Sequence, residues 1–77
     1  MKTSELLNAI ENELGLPLGT IKLEDSFRKT RYWDSLAEIA FLAMIEEKLG
    51  VNITPIQMKE QNTIQDIVNL LKDKLED

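Results

Sequence analysis

Apolar residues recur at helical spacing over residues 4–14, with Leu6, Leu7, Ile10 and Leu14 on one side and Glu5, Glu11 and Glu13 on the other. Thr3 or Ser4 can cap this first helix, and Gly15 ends it. Residues 15–33 break the pattern: they hold Gly15, Pro17 and Gly19, scattered apolar residues (Leu16, Leu18, Ile21, Leu23, Phe27) and a basic cluster. A connection of that length is uncommon in a compact domain and is often functional; its apolar content predicts that it packs down. The strongest helix follows over 36–49. Nine of the ten residues from Leu36 to Ile45 are apolar, Glu38 being the exception, which predicts a central helix buried by several neighbours, its apolar excess mostly core. Glu46, Glu47 and Lys48 make its wet end, and Gly50 is a C-terminal stop. Thr54-Pro55-Ile56-Gln57 reads as a cap, a proline at the first helical position and a Gln three residues after the cap, opening a short helix over about 55–60. Thr63 then caps a last helix with Ile64, Ile67, Val68, Leu71 and Leu75 on one stripe. With no strand pattern, repeat or low-complexity segment, the expected architecture is all-α: a bundle of three long helices and one short one, with a long loop between helices 1 and 2.

Length and composition narrow the function. At 77 residues the chain is a single domain, 1–77, and one of this size buries only about 60% of its unfolded surface, leaving little room for a deep pocket. Hydrophobic residues at 43% and charged residues at 30% suit a globular fold. Cysteine and histidine are both absent, which removes disulfides, thiolate nucleophiles, the usual zinc sites and every His-based acid–base mechanism. The net charge of −5 falls entirely on residues 34–77, where nine acids face four lysines. Such a surface repels phosphate backbones, so no nucleic-acid partner is expected, and it attracts a protein with a basic docking face. No apolar run is long enough to span a membrane, and no secretory segment is visible; a cytoplasmic or organelle-stroma location is expected. One bundle accounts for the apolar stripes, so a monomer is expected.

The long loop meets the central helix at Trp33-Asp34-Ser35-Leu36. A serine at a helix start sits among unpaired backbone N–H groups, near the positive end of the helix dipole, where a phosphate ester is well placed. The same residues admit a plainer reading: Ser35-Leu36-Ala37-Glu38 fits the capping box, in which Ser35 is only a helix cap. Asp25-Ser26-Phe27 has a similar form, but Arg28-Lys29-Thr30-Arg31 follows it rather than an apolar helix, so it reads as loop.

An Asp-Ser-Leu at the head of the second helix, after a long loop, in an acidic four-helix chain of this size resembles an acyl carrier protein. The likeness runs through Glu24-Asp25-Ser26-Phe27, Trp33-Asp34-Ser35-Leu36-Ala37-Glu38-Ile39-Ala40, Ile45-Glu46-Glu47-Lys48-Leu49-Gly50-Val51-Asn52-Ile53 and Thr63-Ile64-Gln65-Asp66-Ile67-Val68. The resemblance implies a non-enzymatic carrier. A phosphopantetheinyl transferase would place 4′-phosphopantetheine from coenzyme A on Ser35, with Asp34 supporting the transfer. The arm's thiol would hold an acyl or aminoacyl cargo as a thioester, taken from a loading enzyme and passed to a downstream transferase or synthase. The missing cysteine fits, because the sulfur comes with the cofactor. Partner docking would fall on the second helix, on Leu36, Glu38, Ile39, Glu46 and Glu47, with Trp33 beside them. Two positions usually acidic in fatty-acid carriers are Ala37 and Ala40 here, the short helix carries Ile56, Gln57 and Lys59, and Trp33 stands where a small or polar residue is more familiar. The Gly-Gly-x-Ser-Leu signature of peptidyl carriers is absent. These departures favour a stand-alone carrier of a specialised biosynthetic pathway over housekeeping fatty-acid synthesis. The competing class is an unmodified helical interaction module.

Three further features carry two readings each. Trp33 packs the loop against the bundle or forms part of the docking face. Arg28, Lys29 and Arg31 are a solvated loop, or they hold an acidic partner or the cofactor phosphate. In this family the helices can open around a short acyl chain, and Leu42, Ala43, Ile53 and Ile64 are the wall candidates; Met44 and Met58 are flexible gap-fillers.

Overall fold

The computed structural model describes residues 1–77. Four α-helices run in the order α1 (Thr3–Leu14), α2 (Ser35–Leu49), α3 (Pro55–Lys59) and α4 (Ile64–Leu70). Two single 3₁₀ turns, Phe27–Lys29 and Lys72–Lys74, interrupt the first loop and the C-terminal end. This is the expected bundle, with three helices longer than the third and a long loop between α1 and α2.

Local chemistry explains the boundaries. α1 begins at Thr3, one residue earlier than the pattern predicts, and neither Thr3 nor Ser4 is its cap. Instead Glu5 accepts the Lys2 N–H, and Asp77 accepts both the N–H and the hydroxyl of Thr3. Gly15 closes α1 at φ 71° and Gly50 closes α2 at φ 67°, left-handed values that glycine adopts without a Cβ penalty. Thr54 and Thr63 cap α3 and α4 through reciprocal bonds with Gln57 and Asp66. The last helix is shorter than its apolar stripe. It tightens into the 3₁₀ turn after Leu71, and the chain then extends so that Glu76 N–H meets the Met1 carbonyl and the Glu76 carboxylate meets the Met1 ammonium. Docking of this tail on the start of α1 competes with further helix.

The core draws on every segment. Leu6 and Ile10 of α1, Phe41, Met44 and Ile45 of α2, Met58 of α3 and Ile64, Ile67 and Val68 of α4 are buried together with Ile21, Phe27, Ile53 and Leu71. The long loop does pack down. Its Ile21 and Phe27 enter the core, and its carbonyls at Leu23 and Asp25 accept the Gln65 and Ile64 N–H groups at the head of α4. Those two amides would otherwise be unpaired helix-end donors. Arg28 donates to the backbone carbonyls of Gln61 and Met58 and lies over the Phe27 ring. It is thus a strap for the loop, while Lys29 and Arg31 are exposed.

α2 departs from expectation on one side only. Ala37, Phe41, Met44 and Ile45 are buried, and Leu42 and Leu49 are half-buried against the core. Leu36 is 76% exposed and Ile39 63% exposed, and Ala43 is exposed as well, which takes Ala43 out of any interior wall. Most of the apolar content of α2 is core, as expected, and Leu36, Ile39 and Ala43 are the exposed exceptions. At about 100° per residue, Leu36, Ile39, Ala43, Glu46 and Glu47 fall on one side of the helix and the buried four on the other.

Candidate functional site

The head of α2 is fixed from both sides. Trp33 is half-buried and packs between Phe27 and Phe41, with ring centroids 5.0 and 5.4 Å apart. Tilted aromatic contacts of this kind add to the area they bury, so the loop residue ahead of the helix cap is held against the core. Asp34 is the N-cap: Ala37 N–H donates to its Oδ1 at 2.8 Å, and Glu38 N–H makes the first helical bond to its carbonyl at 3.0 Å. Ser35 is thereby the first residue inside the helix, exposed, with no capping bond to make. The capping-box reading of Ser35 and Glu38 is corrected by this geometry. Asp caps as well as Ser does, and the residue one place earlier holds the extended backbone a cap requires. The N–H groups of Ser35 and Leu36 have no partner within the helix and point toward its positive end.

The other sequence-marked residues divide. Leu36 and Ile39 stand exposed beside Ser35, and Glu46 and Glu47 are exposed on the same side at the far end, roughly 16 Å along the axis. Glu38 is half-buried and lies about 160° around the helix from Leu36, so it is not brought to that face. Trp33 packs the loop against the bundle and, being half-buried, keeps an exposed part beside the head of α2.

Two features have no counterpart in the sequence reading. An open groove of about 300 Å³ lies between Glu13 and Leu14 at the end of α1, Tyr32 and Asp34 of the loop, and Leu36, Ala37 and Ala40 of α2. Small side chains at 37 and 40 leave the space. Beneath the loop, Glu11 is 1% exposed. Its Oε2 accepts the Ile21 N–H at 2.8 Å, while its Oε1 and the Tyr32 hydroxyl are buried without a hydrogen-bond partner. Burial pushes the Tyr32 phenol above its ordinary 10.0, and the Asp25 and Glu11 charges push the same way. The phenol therefore stays neutral at physiological pH. Spacing alone marked Glu11 as solvent-facing; its burial depends on where the loop lands.

A four-helix domain with one exposed hydroxyl at the head of its central helix, and an apolar stripe beside it, has the build of a helical carrier domain. Residues 4–71 match the family described as "Phosphopantetheine attachment site". The chain is 30% identical over 67 residues to an acyl carrier protein of Thermobifida fusca (strain YX), covering 87% of this chain and 85% of that one. It is 29% identical over 69 residues to an acyl carrier protein of Phaeodactylum tricornutum (strain CCAP 1055/1), covering 90% and 91%. The chain belongs to the acyl carrier protein family. Its members are non-catalytic carriers whose cofactor, 4′-phosphopantetheine, is covalently held and works with modifying and synthase enzymes. No helix is long and apolar enough to cross a membrane.

Proposed function

We propose that Ser35 is the attachment point of 4′-phosphopantetheine. The observation that carries this is the exposed Ser35 hydroxyl, freed from capping by Asp34 at the head of α2. Residues and group fit: the unpaired first-turn amides and the helix dipole favour an anionic phosphodiester there, and the chain has no thiol of its own. In the transferase step, Ser35 Oγ displaces the nucleotide portion of coenzyme A at phosphorus and gives up its proton. Asp34 supports the step from the adjacent position. Once bound, the cofactor supplies a thiol that carries an acyl or aminoacyl group as a thioester.

The carrier takes its cargo from the loading enzyme of a specialised pathway and passes it to an accepting enzyme, and both dock on Leu36 and Ile39, with Glu46 and Glu47 at the edge. In support, the exposed part of α2 next to Ser35 is apolar, Ala40 replaces an acid familiar in fatty-acid carriers, and Ile56 is 73% exposed on α3. Loading by a fatty-acid-synthesis transacylase at full efficiency would count against this pathway assignment.

The test is intact mass before and after incubation with coenzyme A and a broad-specificity phosphopantetheinyl transferase, with Ser35→Ala as control. One phosphopantetheine mass on the wild type and none on the variant is expected. No addition to folded, previously unmodified protein would return the chain to the class of unmodified interaction modules.

A further inference from the structure

Glu13 and Asp34 are the only charged residues that line the groove between the end of α1, the loop and α2. Both are acids, both are exposed, and neither is ion-paired within the chain, whose one ion pair joins Met1 and Glu76. Asp34 accepts the Ala37 N–H through Oδ1 and keeps its second oxygen unengaged. We propose that the groove takes one arginine side chain of a partner enzyme, as a charged anchor at the rim of the apolar docking face. The inference deepens the proposed docking on Leu36 and Ile39 and rests on that reading.

Three observations support it. The first is size. A volume of about 300 Å³ is at the lower end of small-molecule sites, about 300–1,000 Å³. It has room for one long side chain and not for a stretch of backbone. The second is chemistry. Leu14, Leu36, Ala37 and Ala40 supply apolar wall, and the buried hydroxyl of Tyr32 leaves that residue no polar end to offer an occupant. Arginine matches both halves of such a site. Its methylene stem covers apolar surface while its charged head stays near water and the acids. Its planar guanidinium stacks on an aromatic ring and pairs with carboxylates, which the compact ammonium of lysine does less well. The third is position. Leu36 lines the groove and is 76% exposed. At about 100° per residue, Ala40 lies about 40° from Leu36 on one side and Ile39 about 60° on the other. A partner seated on Leu36 and Ile39 therefore has the groove at its edge.

The occupant is a different protein and not a second copy of this chain. Two copies each carrying −5 repel one another. A partner with a basic docking face is attracted, and a single cation set between Glu13 and Asp34 fixes its register on α2.

The experiment titrates the ¹⁵N-labelled full chain with N-acetyl-arginine amide at tens of millimolar. N-acetyl-citrulline amide, similar in shape and uncharged, is the control. Arginine should shift the amides of Glu13, Leu14, Tyr32, Asp34 and Ala40, and citrulline should not. Glu13→Gln should weaken arginine binding about threefold. Ala40→Leu fills the groove from a half-buried helical position and should abolish the shifts. If Ala40→Leu loses its helical signal, the exposed Glu13→Gln carries the test alone. Citrulline shifts equal to those of arginine, or arginine shifts centred on Glu46 and Glu47, overturn the groove. Shifts that survive both Glu13→Gln and Ala40→Leu in folded protein do the same. None of these outcomes touches the effects of Leu36→Ala and Ile39→Ala on a partner enzyme, so the docking face stands or falls separately. Arginine binding with both of those variants silent would overturn the anchor role together with the face.

Discussion

The structure assigns the α2 cap to Asp34 and leaves Ser35 free, and that assignment has a measurable consequence. Asp34→Ala removes the acceptor of the Ala37 N–H and costs about 0.5–2 kcal/mol. It also removes an acid from the positive end of the helix, about 0.3–1 kcal/mol at an exposed site. Ser35→Ala removes a hydroxyl that makes no hydrogen bond in the cap and installs the best helix former, so its effect stays within about 0.5 kcal/mol of zero. Asp34→Asn keeps the cap and loses only the charge. In a domain of this length a change of 1 kcal/mol moves Tm by about 4–8 °C. Thermal melts followed by far-ultraviolet circular dichroism should therefore rank Ser35→Ala beside the wild type, Asp34→Asn slightly below and Asp34→Ala clearly lowest. A Ser35→Ala loss equal to that of Asp34→Ala would refute the cap assignment and revive the capping-box reading. The series also calibrates function: if Asp34→Asn folds normally but is modified slowly, the carboxylate acts in the transfer. An unchanged modification rate would leave it as a cap alone.

Leu36→Ala and Ile39→Ala should each lower kcat/KM for a partner enzyme by about 5–30-fold, the loss of about 1–2 kcal/mol of newly buried apolar surface. Glu46→Gln with Glu47→Gln should cost less and lose its effect at high salt; a dominant, salt-sensitive acid effect would overturn an apolar docking face. Glu11→Gln keeps an acceptor for the Ile21 N–H while removing a buried charge, so urea unfolding should show stability equal to or above wild type. Glu11→Leu leaves that N–H unpaired and should cost about 1–3 kcal/mol; equal effects of the two would mean the bond to Ile21 contributes nothing. Backbone N–H bonds from Thr63 and Asn62 hold Asp66 below the ordinary 3.8. Its folded pKa lies under the unfolded one, so its contribution is present above about 3.8 and lost as pH falls through the folded value. Thermal melts taken down to about pH 2.5 should show a smaller acid loss in Asp66→Asn than in wild type, and identical acid profiles would remove Asp66 from the account.

The helices were legible because each is signalled locally. Leu6 and Ile10 share a face, Gly15 and Gly50 take the left-handed turn their helices need, and Thr54-Pro55 and Thr63 carry their caps in the sequence. Ser35 was legible as a helix-head residue for the same reason. What sequence left open depends on contacts between distant segments. Asp34 and Ser35 are comparable caps, and the choice falls to the backbone that Trp33 positions against Phe27 and Phe41. The burial of Glu11 follows from Ile21 landing on it. The exposure of Leu36 and Ile39 contradicts a rule of thumb that apolar helices are interior; packed against α1 and two short helices, α2 is covered on one side and exposed on the other. Periodicity cannot report the groove, since Glu13, Tyr32 and Ala40 meet only after the loop has closed.

Trp33 links these observations. A small residue at that place would leave the loop free to change angle at the helix head; an indole held between two core rings does not. Fixing a residue's backbone costs about 1–2 kcal/mol of entropy. Here that cost is met within the fold by aromatic packing, and not at each partner encounter. The peptide at Asp34 is then set by Trp33 on one side and by the cap bond to Ala37 on the other. The backbone at Ser35 is consequently held by its neighbours, and under the proposed attachment the motion that delivery requires falls to the arm. Pre-organising the helix head lowers the ordering cost of each docking event, which suits the proposed docking of partner enzymes on Leu36 and Ile39.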